Sequence, residues 1–431
     1  MLKNKILKNA SWIIGCKIIQ SIIGLLVSML TARYLGPSNY GIISYAASIV
    51  AFFTPIMQLG LANIMVQEIV SRPDEEGTIL GTAIAMSVLS AIGCIFGVFV
   101  FTFVANASEI VTIVVCVLYS LSLIAQALEL TQYWFQAKYK SKYTSLSTLA
   151  AYIIVSAYQI FLLIEKKEIF WFAITYTLQY GIIAILLILL YKKNNGQKFH
   201  FSIEMGKRLF SKSKYYIVSS LMVTIFAQTD KIMLKMMIDD AATGYYSAAV
   251  TCSGLSYFVF QAIIDSARPA IFESQQKSKE QFEKNISRLY CVVIYLSLLQ
   301  CIVMTVFAGL IIHILYGESY SAAIPALRLI VWYTTFSYLG VVRNIWILAE
   351  QKQRYLWQIN LFGAFANVVL NALLIPHYGI MGAAFASLFT QFFTNVIVGF
   401  IIRPIRFNNT LMARGMNLKL LLDFIPKIKG K

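Results

Sequence analysis

Long apolar runs, separated by short polar stretches, follow one another along almost the whole chain. Each run is about 20 residues long, the length that an α-helix needs to cross the hydrocarbon core of a bilayer. The pattern predicts an all-α integral membrane protein with about twelve transmembrane helices. The expected spans are 10–32, 42–63, 79–103, 110–132, 146–164, 169–190, 215–238, 245–267, 289–315, 323–349, 357–375 and 380–402.

The predicted spans divide into two groups of six. The longest polar stretch between spans, 191–214, carries seven basic residues and a single acidic one, and it forms the seam. We therefore expect an N-terminal six-helix bundle (1–195), a C-terminal six-helix bundle (196–402) and a basic cytoplasmic tail (403–431).

A short internal correspondence supports this division. When Gly41 is set opposite Gly244, Ser44 aligns with Ser247, in each case just after the first outside loop of its half. Because six is even, both halves enter and leave the membrane on the same face, so the repeats would be parallel and related by an axis along the membrane normal. Two such bundles are expected to enclose a central cavity.

The basic residues are concentrated on one predicted side of the membrane. The segments that share a side with the N-terminus carry 28 of the 36 Lys and Arg residues, whereas the opposite loops carry three. Lys and Arg are retained in the cytoplasm during insertion. We therefore predict a multi-pass membrane protein with both termini cytoplasmic.

The composition excludes a soluble protein. Hydrophobic residues make up 59% of the chain and charged residues 13%, against about 45–50% and about 25% in soluble domains. The net charge of +17 comes from residues that flank the spans and not from a separate basic domain. The expected partners are therefore anionic headgroups of membrane lipids and not nucleic acid.

Short outside loops argue against an enzyme. Each predicted outside loop after the first is only a few residues long, too short to fold into a domain with an external active site. The six cysteines and three histidines show no metal-ligand spacing. We expect no catalytic residue, no metal and no cofactor apart from a coupling ion, and a membrane glycan polymerase is the less favoured alternative.

Four motifs resemble a known family. Residues 32–41 (ARYLGPSNYG) are similar to the first outside loop of the Wzx-type flippases, the polysaccharide exporters of the multidrug/oligosaccharidyl-lipid/polysaccharide (MOP) superfamily. Residues 132–136 resemble the end of that family's fourth span, residues 230–234 and 244–249 its seventh span and the turn after it, and residues 367–384 its link between spans eleven and twelve. The resemblance covers about residues 5–402.

The resemblance implies a function. Members of that family export undecaprenyl-diphosphate-linked oligosaccharide repeat units of O-antigen, capsule or exopolysaccharide across the bacterial inner (plasma) membrane by alternating access. It implies a MOP-like fold, a lipid-linked oligosaccharide as substrate, coupling to an ion gradient, and a glycan polymerase and chain-length proteins as further partners.

Ionisable residues inside the spans are the candidate functional residues, because charge in hydrocarbon is costly unless it faces water or a partner. Two aspartates, Asp230 and Asp265, are candidates for coupling to H⁺ or Na⁺. The surplus of cations suits a diphosphate, whereas a multidrug/cation antiporter of the same superfamily, the alternative function, would need acidic groups. A cationic substrate-binding cavity is expected from five residues: Lys17, Lys231, Lys235, Arg328 and Arg343.

A second interpretation stays open for several of these residues. Asp265 and Arg343 lie near predicted inside helix ends, and Lys235 and Arg328 near outside ends, where long side chains can reach the headgroups. Asp230 lies deep in its span, where a permanent salt bridge to a neighbouring helix is the alternative to ion coupling.

Overall fold

The computed structural model describes the backbone of residues 2–422 and the side chains of residues 15–420, so the end of the predicted tail lies outside the described residues. Within that part of the chain the secondary structure is helical, with no β-strand. The chain packs as two compact units, Met1–Gly244 and Tyr245–Lys431. This division is one of packing, and the repeat boundary at residue 195 stays a prediction.

The first unit contains nine helices and the start of a tenth. They are α1 (Leu2–Met57), α2 (Met65–Ser71), α3 (Glu76–Ala105), α4 (Ile110–Ser120), α5 (Ser122–Leu128), α6 (Gln132–Ala137), α7 (Ser141–Ile164), α8 (Ile169–Lys193), α9 (Ile203–Met237) and α10 (Asp240–Ser253).

The second unit contains the rest of α10 and the helices that follow. They are α11 (Tyr257–Lys277), α12 (Lys279–Val306), α13 (Ala308–Leu315), α14 (Ala323–Ala349), α15 (Leu356–Phe392), a π-helical turn (Phe393–Ile397), α16 (Val398–Ile401), α17 (Arg406–Gly415) and α18 (Lys419–Leu422).

Among the described residues, eight helical stretches are long and apolar enough to cross a membrane. A ninth is present if α10 and α11, which are bent by 41° at their junction, form one span. The expected all-α membrane architecture is therefore confirmed, while the count of twelve spans stays a prediction.

Two of the long helices are broken at glycines where the sequence predicts outside loops. Gly36 in α1 has φ 73° and ψ 172°, and Gly379 in α15 has φ 53° and ψ −129°. Positive φ angles are readily adopted by glycine alone, and a proline lies close to each break, Pro37 after Gly36 and Pro376 before Gly379. Each of these long helices is therefore two helical segments joined by a tight turn.

Helix α3 shows how these helices meet lipid. Its large apolar residues Leu89, Phe96 and Phe103 recur every seven residues along one face and are exposed. Its opposite face is buried and includes small or hydroxyl residues such as Ser87 and Ala91. Small residues let helices approach closely inside a membrane protein, and the exposed face is of the kind that hydrocarbon covers.

Gly41 and Gly244, the pair that the internal correspondence aligned, lie against each other in the first unit. A Cβ atom on Gly41 would collide with the carbonyl oxygen of Asp240, and one on Gly244 would collide with the carbonyl oxygen of Pro37. The second segment of α1 and the first turn of α10 therefore meet backbone to backbone, which only glycine permits.

We expect Gly41→Ala to destabilise the protein, because the new methyl group can be accommodated only if two backbones separate. Overpacking of this kind costs about 1–3 kcal/mol. The measurement is the melting temperature of the detergent-solubilised protein. The matched control is Gly93→Ala in α3, where a Cβ would meet no atom within 4 Å; equal melting temperatures for the two variants would contradict the close contact.

Candidate functional site

Lys235, near the end of α9, is buried between two carboxylates. Its side chain is only 3% exposed, and its Nζ lies 2.5 Å from Oε2 of Glu109 and 2.7 Å from Oδ1 of Asp240. Two negative charges face one positive charge, so the lysine is neutralised within the first unit. The positive charge of Lys235 is therefore already paired within the protein and does not need a ligand to neutralise it.

Further hydrogen bonds fix the Glu109 carboxylate. Thr112 Oγ1 donates to Glu109 Oε2 at 2.8 Å, and the hydroxyl of the fully buried Tyr45 donates to Asn106 Oδ1 at 3.0 Å beside it. Burial alone would raise the pKa of Glu109, but the hydrogen bonds from Lys235 and Thr112 outweigh it and hold that pKa below its ordinary value. The network joins the ends of α3 and α9 to the starts of α4 and α10.

The lowered pKa of Glu109 means that this residue stabilises the folded protein more at neutral pH than at acidic pH. Because Glu109 loses its proton more readily in the folded protein, its contribution is complete above its unfolded-state pKa of about 4.3. That contribution is lost as the pH falls through the lowered folded-state value. Glu109 is partly exposed, so solvent screening makes it modest.

Asp230 and Lys231 lie on α9, slightly more than one helical turn before Lys235. Asp230 is 5% exposed, and its carboxylate acts electrostatically on the half-buried Lys231 ammonium. Helix α9 packs along α1 here, where Ser48 Oγ donates to Gln228 Oε1 at 3.0 Å. Lys17 lies on an exposed face of α1.

Arg343 is the most deeply buried of the candidate cations in the second unit. It is 5% exposed, and its guanidinium donates from Nη1 to the carbonyl oxygen of Thr394 at 2.8 Å and from Nη2 to Asn344 Oδ1 at 3.3 Å. Its Nε is buried with no hydrogen-bond partner among the described residues. No carboxylate of the described chain lies within ion-pair distance of Arg343, so its charge is not neutralised there.

The Arg343 carbonyl partner belongs to the π-helical turn Phe393–Ile397. A π turn displaces the regular ladder of backbone hydrogen bonds and is frequent at functional sites. Three side chains bond to this turn or bridge it: besides Arg343, Asn409 donates to the carbonyl oxygen of Val396 at 2.8 Å, and Asn395 donates to Gln391 Oε1 at 2.6 Å. The arginine, which has no carboxylate partner among the described residues, therefore lies among hydrogen-bonded polar groups within apolar helices.

The remaining two candidates are exposed. Asp265 is paired with Arg268 at 2.9 Å and accepts a hydrogen bond from Gln261 at 2.7 Å. Arg328 lies on an exposed face of α14 and has no ion pair among the described residues.

The structure also contains charge pairs that the sequence pattern did not indicate. Glu68 is buried and binds Arg208 at 3.1 Å and also Lys212, while the buried Glu76 binds Lys138 at 2.8 Å. The partners of Lys235 were missed in the same way. The available signal was that Glu109 and Asp240 are acidic residues in two short loops of a basic chain, both on the predicted outside near Lys235.

Known proteins are similar in sequence to this chain over half of its length or more. The sequence profile of a family described as "Polysaccharide biosynthesis protein" matches residues 6–275. An uncharacterized membrane protein of Methanocaldococcus jannaschii is 28% identical over 232 residues, which are 50% of this chain and 45% of that protein. The probable low-salt glycan biosynthesis flippase Agl15 of Haloferax volcanii is 23% identical over 50% of this chain and 46% of its own length.

The chain spans about half the length of those two archaeal relatives. A longer match is to the capsular polysaccharide biosynthesis protein CapF of Staphylococcus aureus, which is 22% identical over 89% of this chain and 96% of its own. These relatives confirm the resemblance to the polysaccharide exporters that the four motifs carry.

Two solved structures share the fold. The lipid II flippase MurJ, in an inward closed conformation, superposes with a TM-score of 0.75 at 13% identity over 96% of this chain and 93% of its own. An inward-facing multidrug resistance MATE family transporter of the MOP superfamily superposes with a TM-score of 0.70 at 12% identity over 91% of this chain and 96% of its own. The fold is therefore that of the MOP superfamily.

We expect Lys235→Met to lower the melting temperature, because it leaves two carboxylates without their counterion. The loss should be smaller than about 3–5 kcal/mol, the cost of breaking a fully buried pair, because the side chain of Glu109 is 42% exposed and that of Asp240 23% exposed, so that solvent screens both charges. The triple variant Lys235→Met, Glu109→Gln, Asp240→Asn is expected to recover most of that loss, since no uncompensated charge remains.

The matched control is Lys277→Met, which breaks an exposed pair with Glu273 on α11 and is expected to change little. If the triple variant melted no higher than the single one, the loss would come from packing and not from charge.

Proposed function

Because this chain belongs to the polysaccharide biosynthesis protein family, we propose that it is a flippase that carries a lipid-linked glycan across a membrane by alternating access. Its relatives in Haloferax volcanii and Staphylococcus aureus are named for glycan and capsule biosynthesis, and its fold is that of flippases and transporters. The cargo we propose is an undecaprenyl-diphosphate-linked repeat unit of O-antigen, capsule or exopolysaccharide in the bacterial inner membrane.

The ion pairing of the candidate cations is the observation that supports an anionic cargo. Of the five cations expected in the substrate cavity, Lys235 alone has an ion pair in the described structure; Lys17, Lys231, Arg328 and Arg343 have none. A cation without a counterion in an apolar helix costs free energy, so such residues are rare in membrane spans and mark functional sites. Their sign is the one that an anionic headgroup needs.

A diphosphate would be stabilised by each unpaired cation that it meets. Charges in a low-dielectric environment interact far more strongly than in water, and the planar guanidinium of Arg343 can donate to phosphate oxygens in a bidentate geometry. The cations would lower the cost of moving the headgroup through the apolar region. Lys235 is left out of this set because Glu109 and Asp240 already neutralise it.

We further propose that Asp230 couples transport to an H⁺ or Na⁺ gradient. It is buried beside Lys231 on α9, so binding of an anion at Lys231 and ionisation of Asp230 would influence each other. Asp265 is exposed and paired with Arg268, which makes it the weaker candidate. Both termini would be cytoplasmic, and a glycan polymerase with chain-length proteins would take the cargo onward.

A second candidate function is multidrug/cation antiport, which the likeness to a MATE transporter favours. The charge of the candidate set argues against it, since a cationic drug would be repelled by four uncompensated cations and attracted by one buried aspartate.

We expect Lys231→Met and Arg343→Met each to reduce glycan export about tenfold or more, because each removes a cation from the path of the headgroup. The assay is surface glycan in a bacterial strain that lacks its own exporter, measured at matched protein levels. Lys277→Met, which removes an exposed cation at the end of α11, is the control and should export normally. Normal export by both test variants, or drug-cation efflux without glycan export by the unmutated protein, would overturn the proposal.

We expect Asp230→Asn to export glycan at a reduced rate that no longer responds to collapse of the ion gradient. The amide keeps the shape of the side chain but cannot bind or release a proton and holds Na⁺ less well. Export is compared with and without separate H⁺ and Na⁺ ionophores, with Asp265→Asn as the matched variant. Asp230 has no coupling role if its Asn variant keeps the full ionophore sensitivity of the unmutated protein.

A further inference from the structure

The first unit encloses a cavity of about 250 Å³ between α1, α4, α7 and α8. Its lining consists of tyrosines, amides, hydroxyl residues and a few apolar side chains, and none of the described residues that line it is Lys, Arg, Asp or Glu. It lies toward the end of the unit that carries loops 104–109 and 165–168, the predicted outside end. None of the charged candidates described above lines it.

Aromatic rings form one wall of this cavity. Tyr119 and Tyr176 are stacked, with ring centroids 4.3 Å apart and an interplanar angle of 18°, and Tyr152 lines the wall contributed by α7. The face of an aromatic ring is electronegative and attracts the weakly positive C–H groups of a ligand. A saccharide ring presents such C–H groups on its faces and hydroxyl groups around its edge.

Hydrogen-bonding groups in the cavity lack partners. Thr31 is only 6% exposed, and its Oγ1 is buried with no hydrogen bond. A buried polar group without a partner costs about 1–3 kcal/mol, so the Thr31 hydroxyl is accounted for if a ligand bonds to it there. The described structure also contains no hydrogen bond for the Tyr152 hydroxyl or the Gln179 amide, which are half-buried and line the same cavity. A ligand with several donors and acceptors would find partners in all three groups.

We propose that this cavity is a subsite for one uncharged sugar ring of the transported glycan, an inference that rests on the proposed function. Its volume is just below the lower end of the range for drug-sized ligand pockets, about 300 Å³, which suits a single ring and not a chain of them. Without a cation it offers nothing to a diphosphate. The headgroup and the sugar therefore bind at separate places, the headgroup at the cations and the sugar among the tyrosines.

Thr31→Val separates this role from a structural one. Valine has nearly the same shape but no hydroxyl, so the variant removes an unsatisfied buried group and should melt at the same temperature or higher. The control is Ser87→Ala in α3, which also removes a buried hydroxyl without a partner but does not line the cavity. Gln179→Leu is a second test variant from a different helix.

The experiment measures binding of glucose, galactose, N-acetylglucosamine and N-acetylgalactosamine by saturation-transfer NMR. The protein is held in lipid nanodiscs, because maltoside detergents would themselves fill a sugar site. At least one of the four sugars is expected to bind, with affinity reduced about fivefold or more by Thr31→Val and by Gln179→Leu and unchanged by Ser87→Ala. Absence of binding by all four sugars, or an affinity in both test variants equal to that of the unmutated protein, overturns the subsite.

Export in cells distinguishes this inference from the proposed function. If the unmutated protein exports glycan but Thr31→Val changes neither sugar affinity nor export, the subsite is wrong and the flippase function stands. If sugar affinity depends on Thr31 while the unmutated protein exports no glycan, the cavity binds sugar and the proposed function is wrong.

Discussion

The cost of holding charge inside apolar helices is the constraint on which the interpretation of this protein depends. Hydrocarbon solvates neither a lysine nor a glutamate, so each charge within the spans must meet a counterion, a dipole or water. Lys235 meets the first requirement through Glu109 and Asp240. Arg343 meets the second, with a backbone carbonyl and an amide oxygen in place of a carboxylate. The two residues are equally well buried, but only Lys235 has a carboxylate counterion among the described residues.

The backbone obeys a related constraint. Inside a bilayer each N–H and C=O must be bonded within the protein, and irregular backbone is tolerated only where something satisfies it. The turns at Gly36 and Gly379 lie at predicted loops between spans, where water is available. The π-helical turn after α15 lies inside a predicted span, and there Arg343 and Asn409 supply hydrogen bonds to its carbonyl groups. The same guanidinium therefore satisfies the turn and carries uncompensated charge, so a role in binding would use geometry that the helix already enforces.

The sequence predicted those features that depend on local pattern. Apolar runs indicated the membrane helices, and the gaps between the predicted spans placed loops at 33–41 and 376–379, where α1 and α15 turn. It did not predict the partners of Lys235, because Glu109 precedes it by 126 residues and nothing local to either residue indicates the other. It placed Gly41 opposite Gly244 as equivalent positions of a repeat, and the structure shows that the two are in contact. The tyrosine-lined cavity had no sequence signal, since Tyr, Thr and Gln in an apolar helix also occur as ordinary packing residues.

A neutral cavity that is separate from the cations has a consequence for how a glycan flippase would work. The diphosphate is common to every cargo of this lipid class, so the cations need only recognise charge. The sugars differ from one cargo to another, and hydrogen-bonding groups held at fixed positions by packed helices discriminate among them, because a mismatched hydroxyl leaves a buried group unpaired. Thr31 and Gln179 are on different helices of the first unit, so a change at either one alters the pattern without disturbing the other. Selectivity for the glycan would then evolve in the cavity while the cations stayed the same.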